Sequence, residues 1–306
     1  MREGRRDAPP APAPDALVRR LIDWYAESAR DLPWRAADRT PWGVLVSEVM
    51  LQQTPVARVL PVWNEWLTRW PAPADLAAEP SGEAVRAWGR LGYPRRALRL
   101  HRAAQQVAER HDGQVPDDIT ALRALDGIGH YTATAVATFA FGHRHAVVDT
   151  NVRRVLARVV EGRALPAPAL TAAEQRLAER LVPADRKAAA RWAIAVMELG
   201  ALVCTARAPR CGACPVADRC AWRQAGAPAY EGPARRGQAW AGTDRQVRGR
   251  LLAVLREARH PVSSGDLRGA VLDDDLRDPR QRDRALASLV EDGLVESGPS
   301  GYSLPG

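Results

Sequence analysis

Three features of the 306-residue sequence predict an all-α protein. From about residue 15 to 225 the apolar residues recur at spacings of three and four, and almost nothing alternates with period two before residue 290. Gly, Pro, Asp and Thr punctuate that stretch at short intervals, as helix ends do. Four cysteines, Cys204, Cys211, Cys214 and Cys220, crowd into 17 residues near its end. That clustering reads as a metal site, since a disulfide framework scatters its cysteines.

The elements follow in order. Residues 1–14 are rich in Pro and Ala, lack the apolar core of a signal peptide, and read as a disordered leader. ALVRRLIDWYAESA begins a first helix near Asp15, and a loop carrying Trp34 and Arg35 leads to Pro41, early in the next. Thr54-Pro55 is expected to cap a helix through VARVLPVWNEWLTRW. Prolines 71, 73 and 80 break the chain. Helices are then expected near 82–90, 94–111, 117–125, 131–141, 149–160, 171–182 and 187–203. Residues 226–243 have the composition of a linker. The tail, 244–306, reads as three helices and a small hairpin, which suits a winged-helix module or a plain helical cap.

Net charge is +8 and pI near 10.0, which points to an acidic partner, nucleic acid above all. No run of about 18 apolar residues is present, so no membrane span is expected and a cytoplasmic location follows. Of the 44 basic residues only Lys187 is a lysine.

Three motifs carry chemistry. In SEVMLQQT (47–54) a lone acid, Glu48, shares a helical face with Val44, Leu45 and Leu51, and the stripe ends in Gln52 and Gln53. A carboxyl among apolar residues has its pKa pushed up. In LDGIGHYT (125–132) the turn Gly127-Ile128-Gly129 between two helices exposes backbone N–H groups at a helix start, where phosphate binds. In VVDTNVRRV (147–155) Asp149 precedes a helix as an N-cap and is expected to be held ionised there. Two carboxylates with diverging pKa values suit an acid paired with an electrostatic stabiliser. The C-x6-C-x2-C-x5-C spacing can hold zinc or a [4Fe–4S] cluster, and its compact wrap favours the cluster.

Together these motifs resemble the MutY-type adenine DNA glycosylases of the endonuclease III, or helix-hairpin-helix, superfamily, in order from about residue 20 to 224. The resemblance implies a six-helix domain at 41–144 and an iron-sulfur cluster domain from 15–40 and 145–225, with one [4Fe–4S] cluster on the four cysteines. It implies that Glu48 is the general acid protonating adenine N7, and that Asp149 stabilises the oxocarbenium-like sugar, with Tyr131 and Asn151 in support. Trp34, Arg35 and Glu198 would line the adenine pocket. Gln52 and Gln53 would fill the stack after base flipping, and Gly127, Ile128 and Gly129 would hold DNA. The partner implied is double-stranded DNA with A:8-oxoguanine or A:G mispairs, bound by a monomer.

Relatives that also cut the strand carry a lysine where this chain has Tyr131, which predicts a monofunctional enzyme. The tail does not resemble the family's 8-oxoguanine-reading domain. With 10 Arg against 11 acids over 244–306, it is not expected to clamp DNA. A thymine or uracil mismatch glycosylase is the rival enzyme, but pyrimidines need no N7 protonation and so no Glu48. A non-catalytic iron-sulfur DNA-binding protein would need neither Glu48 nor Asp149.

Overall fold

The computed structural model describes residues 14–232, 241–269, 271, 276, 278 and 280–306. The leader, save Pro14, and the middle of the linker, 233–240, lie outside the described residues. The fold is helical, with a single two-stranded hairpin among the described residues. None of the described helices is long and apolar enough to cross a membrane. The chain divides into two units, Met1–Arg35 with Thr134–Pro233, and Ala36–Ala133 with Ala234–Gly306.

The second unit begins with α2 (Pro41–Met50). Thr40 caps it by accepting from the Gly43 amide at 3.0 Å, with Pro41 at its first position. Every residue from Trp42 to Met50 is buried. Then come α3 (Val56–Arg69), α4 (Pro73–Ala77), α5 (Ser81–Trp88), α6 (Arg95–Arg110), α7 (Ile119–Ala124) and the start of α8 (His130–Phe139). Three indoles fill the core. Trp66 meets Trp70 edge-on at 4.9 Å and Trp88 at 5.6 Å, each ring contributing roughly 5 kcal/mol of transfer free energy on burial.

Thr54 does not cap α3. The N-cap is Pro55, without a side-chain bond, because the Thr54 hydroxyl is engaged by the Leu91 carbonyl and by Arg96. The short helix α4 was not expected among the prolines; Pro73 sits at its start and Asp75 bonds back to the Ala72 amide at 2.8 Å.

The C-terminal module belongs to this same unit. Its helices α13 (Asp244–Glu257), α14 (Ser264–Gly269) and α15 (Gln281–Glu291) precede the hairpin β1 (Glu296–Gly298) and β2 (Gly301–Ser303). Val262 bridges Tyr302 in antiparallel pairing, adding a third short edge as a winged helix does. The module is seated on α5: the Gly82 amide donates to the Pro305 carbonyl at 2.8 Å, Arg86 donates to the Ala258 carbonyl at 3.0 Å, and Arg256 returns a bond to Val85 at 2.9 Å. A Cβ on residue 82 would lie 2.4 Å from the Pro305 oxygen, so only glycine permits this seam.

The first unit packs α1 (Pro14–Ser28), α9 (Thr150–Val159), α10 (Ala172–Arg180) and α11 (Arg186–Leu202) around Leu17, Leu21, Val155, Trp192, Val196 and Leu199. The cysteine loop and α12 (Ala221–Gln224) close it.

Candidate active site and metal centre

Within the second unit, Glu48 sits in the buried run of α2 with 7% of its surface exposed. The helix ends at Met50, and the two glutamines part. Gln52 turns inward, its amide donating to the Thr132 hydroxyl at 3.2 Å, which ties the end of α2 to the residue after Tyr131. Gln53 is exposed and holds φ at 58°, a left-handed backbone that a non-glycine residue adopts only under constraint. The constraint is Arg96. This side chain, 7% exposed, donates to the carbonyls of Val49, Met50 and Gln52 at 2.7–3.0 Å, and to the Thr54 hydroxyl and Gly92 carbonyl at 3.0 Å. It thus caps α2 and fixes the loop. Burial draws its pKa down to about 10, which leaves it cationic at neutral pH.

The hairpin lies between α7 and α8. Asp118 caps α7 through the Ala121 amide at 2.8 Å. Gln106 and Asp126 exchange two hydrogen bonds that set the loop. Gly127 has φ at 76°, and a Cβ there would stand 2.7 Å from Cβ of Arg99. Gly127 and Gly129 are exposed while Ile128 is buried, so the turn is anchored by its apolar side chain and open along its backbone. Tyr131, half-buried, follows in the first turn of α8.

Within the first unit, Asp149 caps α9, accepting from the Val152 amide at 2.7 Å through one oxygen and from the Asn151 amide group at 2.7 Å through the other. Its pKa is nevertheless raised, because burial outweighs those hydrogen bonds and the nearby Arg154. The helix terminus therefore does not hold the Asp149 pKa below its ordinary value, since desolvation is the larger effect. Asn151 in turn accepts from Arg154, which also donates to the carbonyls of Gly200 and Cys204, each at 2.7 Å. A continuous chain of polar contacts joins Asp149 to the first cysteine. Gly200 allows α9 and α11 to approach, since a Cβ there would meet Asn151 Cβ at 2.6 Å.

Trp34 and Arg35 occupy a 3-10 turn, Pro33–Arg35, with Trp34 buried. Glu198 has a side chain with no exposed surface and is gripped by Arg30 at 2.6 and 2.7 Å and by Arg35 at 3.0 Å. Burial alone would raise its pKa, but the Arg30 hydrogen bonds and the Arg35 charge outweigh it and hold the carboxylate ionised. Both its oxygens are committed to arginines, so Glu198 orients Arg35, which stands 5.9 Å from the Tyr25 ring centroid.

All four cysteines line one small cavity walled by Val203, Pro209, Ala217 and Trp222. Among the described residues no three His, Cys, Asp or Glu side chains are set to hold a single ion. Burial first, then the neighbouring thiols, pushes Cys214 up to about 11 and raises Cys220. Such thiols stay protonated unless a metal group claims them. Arg158, 3% exposed and 4.8 Å from the Trp222 ring centroid, donates to Cys204 Sγ at 3.4 Å, a buried cation suited to an anionic centre. The donor set fits a thiolate-held cluster.

Residues 46–181 match the model of the HhH-GPD superfamily of base excision DNA repair proteins, and residues 204–220 match that of the iron-sulfur binding domain of endonuclease III. The adenine DNA glycosylase of Mycobacterium tuberculosis is 54% identical over 287 residues, 94% of this chain and 92% of that protein. The chain belongs to the adenine DNA glycosylase family. At that coverage the match extends into the C-terminal module, so the short tail is shared with this relative. A thymine/uracil-DNA glycosylase of Pyrobaculum aerophilum is 37% identical over 202 residues, covering 65% of this chain and 87% of that one. The solved structure of a thermostable thymine-DNA glycosylase aligns with TM-score 0.60 at 26% identity, over 69% of this chain and 97% of that one. This family member is an iron-sulfur enzyme of base excision repair.

Four arginines of these constellations escaped the sequence reading: Arg30, Arg96, Arg154 and Arg158. Arg96 alone carried a signal, falling in register with Leu100, Ala103 and Val107 on the buried face of α6.

Proposed function

We propose that the protein removes adenine mispaired with 8-oxoguanine or guanine from double-stranded DNA, as a cytoplasmic monomer, and leaves an abasic site. The observation that carries this reading is Glu48, the single ionisable group in a helix that is mostly apolar and buried from Trp42 to Met50. A shielded carboxyl retains its proton and can deliver it. In the proposed reaction Glu48 gives that proton to adenine N7 while the C1′–N9 bonding pair moves onto the base. The cationic sugar that forms favours the charged form of Asp149, offsetting the burial that disfavours it in the free protein. Water then adds to C1′ and its proton returns to Glu48, so the balance is hydrolysis of one N-glycosidic bond.

Asn151 keeps Asp149 aimed, and Tyr131 and Trp34 with Arg35 support and line the base pocket. Gln52 and Gln53 fill the vacated stack. Gly127, Ile128 and Gly129 seat a phosphate on backbone amides. The cysteines Cys204, Cys211, Cys214 and Cys220 would hold a [4Fe–4S] cluster, which supplies a rigid, folded loop when bound. With Tyr131 at the first turn of α8 and the lone Lys187 exposed at the start of α11, no amine is offered by these motifs for Schiff-base strand cleavage.

The test is a single-turnover assay on labelled duplexes carrying A:8-oxoguanine, A:G, A:T and T:G, with and without hot alkali. Adenine release from the first two, with scission only after alkali, supports the reading. Release of thymine from T:G instead would transfer the chain to the pyrimidine enzymes, and borohydride trapping of an enzyme–DNA adduct would refute monofunctionality.

A further inference from the structure

The wedge loop opens onto a groove of about 620 Å³ inside the second unit, bounded on one side by the loop around Gln53 and residues 89–94, and on the other by α13. Arg58 and Arg90 come from the first side, Arg245 and Arg250 from the second, and no Asp or Glu lines the groove among the described residues. Tyr93 lies at its wall, exposed, with Arg245 4.7 Å from its ring centroid. Two non-glycine residues here, Gln53 and Tyr93, hold left-handed backbones with φ of 58° and 48°, and such strain collects where function needs a fixed geometry.

Counted along the sequence, the tail is almost neutral, and it was not expected to clamp DNA. The fold gathers part of the tail's charge on α13. Arg245, Arg248, Arg250 and Arg256 of α13 all line the groove, and Asp292, just past α15, pairs with Arg248 at 2.5 Å and with Arg95 at 3.2 Å. The lining residues are thus rich in arginine, with no acid among those described.

We propose that this groove seats the phosphodiester backbone of the DNA whose stack Gln52 and Gln53 enter, so that the C-terminal module is a backbone clamp and not a reader of the opposite base. The inference rests on the wedge assignment made above. Charge complementarity commits it to a polyanion: six arginines and an aromatic ring line an open trough that starts at the wedge residue. A trough of arginines carries no donor–acceptor pattern that separates one base from another. It therefore strengthens binding alike for damaged and undamaged duplexes.

The experiment measures affinity against salt for the cluster-loaded protein and for the double variant Arg245→Gln/Arg250→Gln, on undamaged, A:G and A:8-oxoguanine duplexes. Each lost phosphate contact lowers the salt slope by about 0.9, so the double variant loses about 1.8. Between about 50 and 200 mM salt its affinity then falls about 12-fold less than that of the wild type. Arg58→Gln, on the opposite wall and independent of how the module folds, lowers the slope by about 0.9. Arg110→Gln, at the other end of α6, removes the same charge and leaves the slope in place.

An unchanged slope in both groove variants overturns the proposal. A loss confined to the A:8-oxoguanine duplex overturns it too, since the groove would then read a base. If wild-type protein released no adenine from any duplex while the slope fell as expected, the catalytic reading would fail and the clamp would stand.

Discussion

Arg96 of α6 and Gln52, just past the end of α2, are joined by a 2.7 Å hydrogen bond from the guanidinium to the Gln52 carbonyl. The same nitrogen also serves Val49 and Met50, so the last carbonyls of the helix bearing Glu48 and the loop bearing Gln53 share one donor. Arg96→Lys keeps a cation but cannot span that fan of acceptors. With two or more buried carbonyls left without a donor, the variant is expected to lose about 2–4 kcal/mol. Urea denaturation measures the loss. Excision is expected to fall with it even where the protein is fully folded, because Gln53 is released from its strained backbone; full activity in folded Arg96→Lys would remove the clamp from the mechanism.

Glu48→Gln keeps the shape of the side chain and removes the proton it is proposed to deliver. General acid catalysis is typically worth 100- to 10,000-fold, and the single-turnover rate on A:8-oxoguanine DNA is expected to drop by about that much. Duplex affinity stays within a few-fold, since α2 presents this carboxyl among its own buried residues. Undiminished excision would take Glu48 out of the reaction.

Asp149 has a folded-state pKa above its ordinary value, with burial as the largest cause. Between the two pKa values the folded protein therefore holds a proton that the unfolded chain has released. The stability linked to that proton is complete below the ordinary Asp range near 4 and is lost as pH rises through the folded value. Asp149→Asn carries no such penalty and keeps an N-cap oxygen for the Val152 amide. Its melting temperature is expected to exceed that of the wild type at neutral pH, the gap closing toward pH 4, while adenine excision is abolished. A gap that widens on acidification would mean that Asp149 is ionised in the free protein.

Glu198 is the counterpart inside the first unit. Its carboxylate has no exposed surface and is shared between Arg30 and Arg35. Glu198→Gln leaves two guanidinium groups facing a neutral amide, and breaking a buried pair in this way costs about 3–5 kcal/mol. Equilibrium unfolding checks the value. A change below about 1 kcal/mol would place the pair in the class of surface bridges.

Residues whose role is local could be read from the sequence. Thr40-Pro41, Asp149 and the apolar stripe around Glu48 act on their own helix, and helical spacing records them. The turn at Gly127 announces itself because only glycine tolerates both its φ and the nearby Arg99. Arg154 and Arg158 left no such mark, since a long arginine reaches carbonyls 46 to 50 positions away in sequence with no periodicity to betray it. The seating of the module on α5 was equally hidden. Gly82 looks like any helix-start glycine until the Pro305 carbonyl stands above it. The gathering of charge on α13 could have been found by plotting Arg245, Arg248, Leu252 and Arg256 on one helical face rather than summing the tail.

Arg154 connects the two chemistries of the first unit. Its guanidinium meets the Asn151 side chain, the Gly200 carbonyl and the Cys204 carbonyl, and Asn151 holds Asp149. Arg154→Gln is too short to keep all three contacts, so the cysteine loop and the carboxylate lose their common brace. Two readouts are expected to move together: retention of the cluster, followed by its visible absorbance, and the single-turnover rate. Asn151→Ala releases Asp149 but leaves Arg154 on Cys204 and Gly200, so it is expected to lower the rate with the cluster retained. If Arg154→Gln instead lost activity with undiminished absorbance, the brace would serve Asn151 alone, and the cysteine loop would be held by Arg158, which binds Cys204 Sγ and the Thr205 carbonyl on its own.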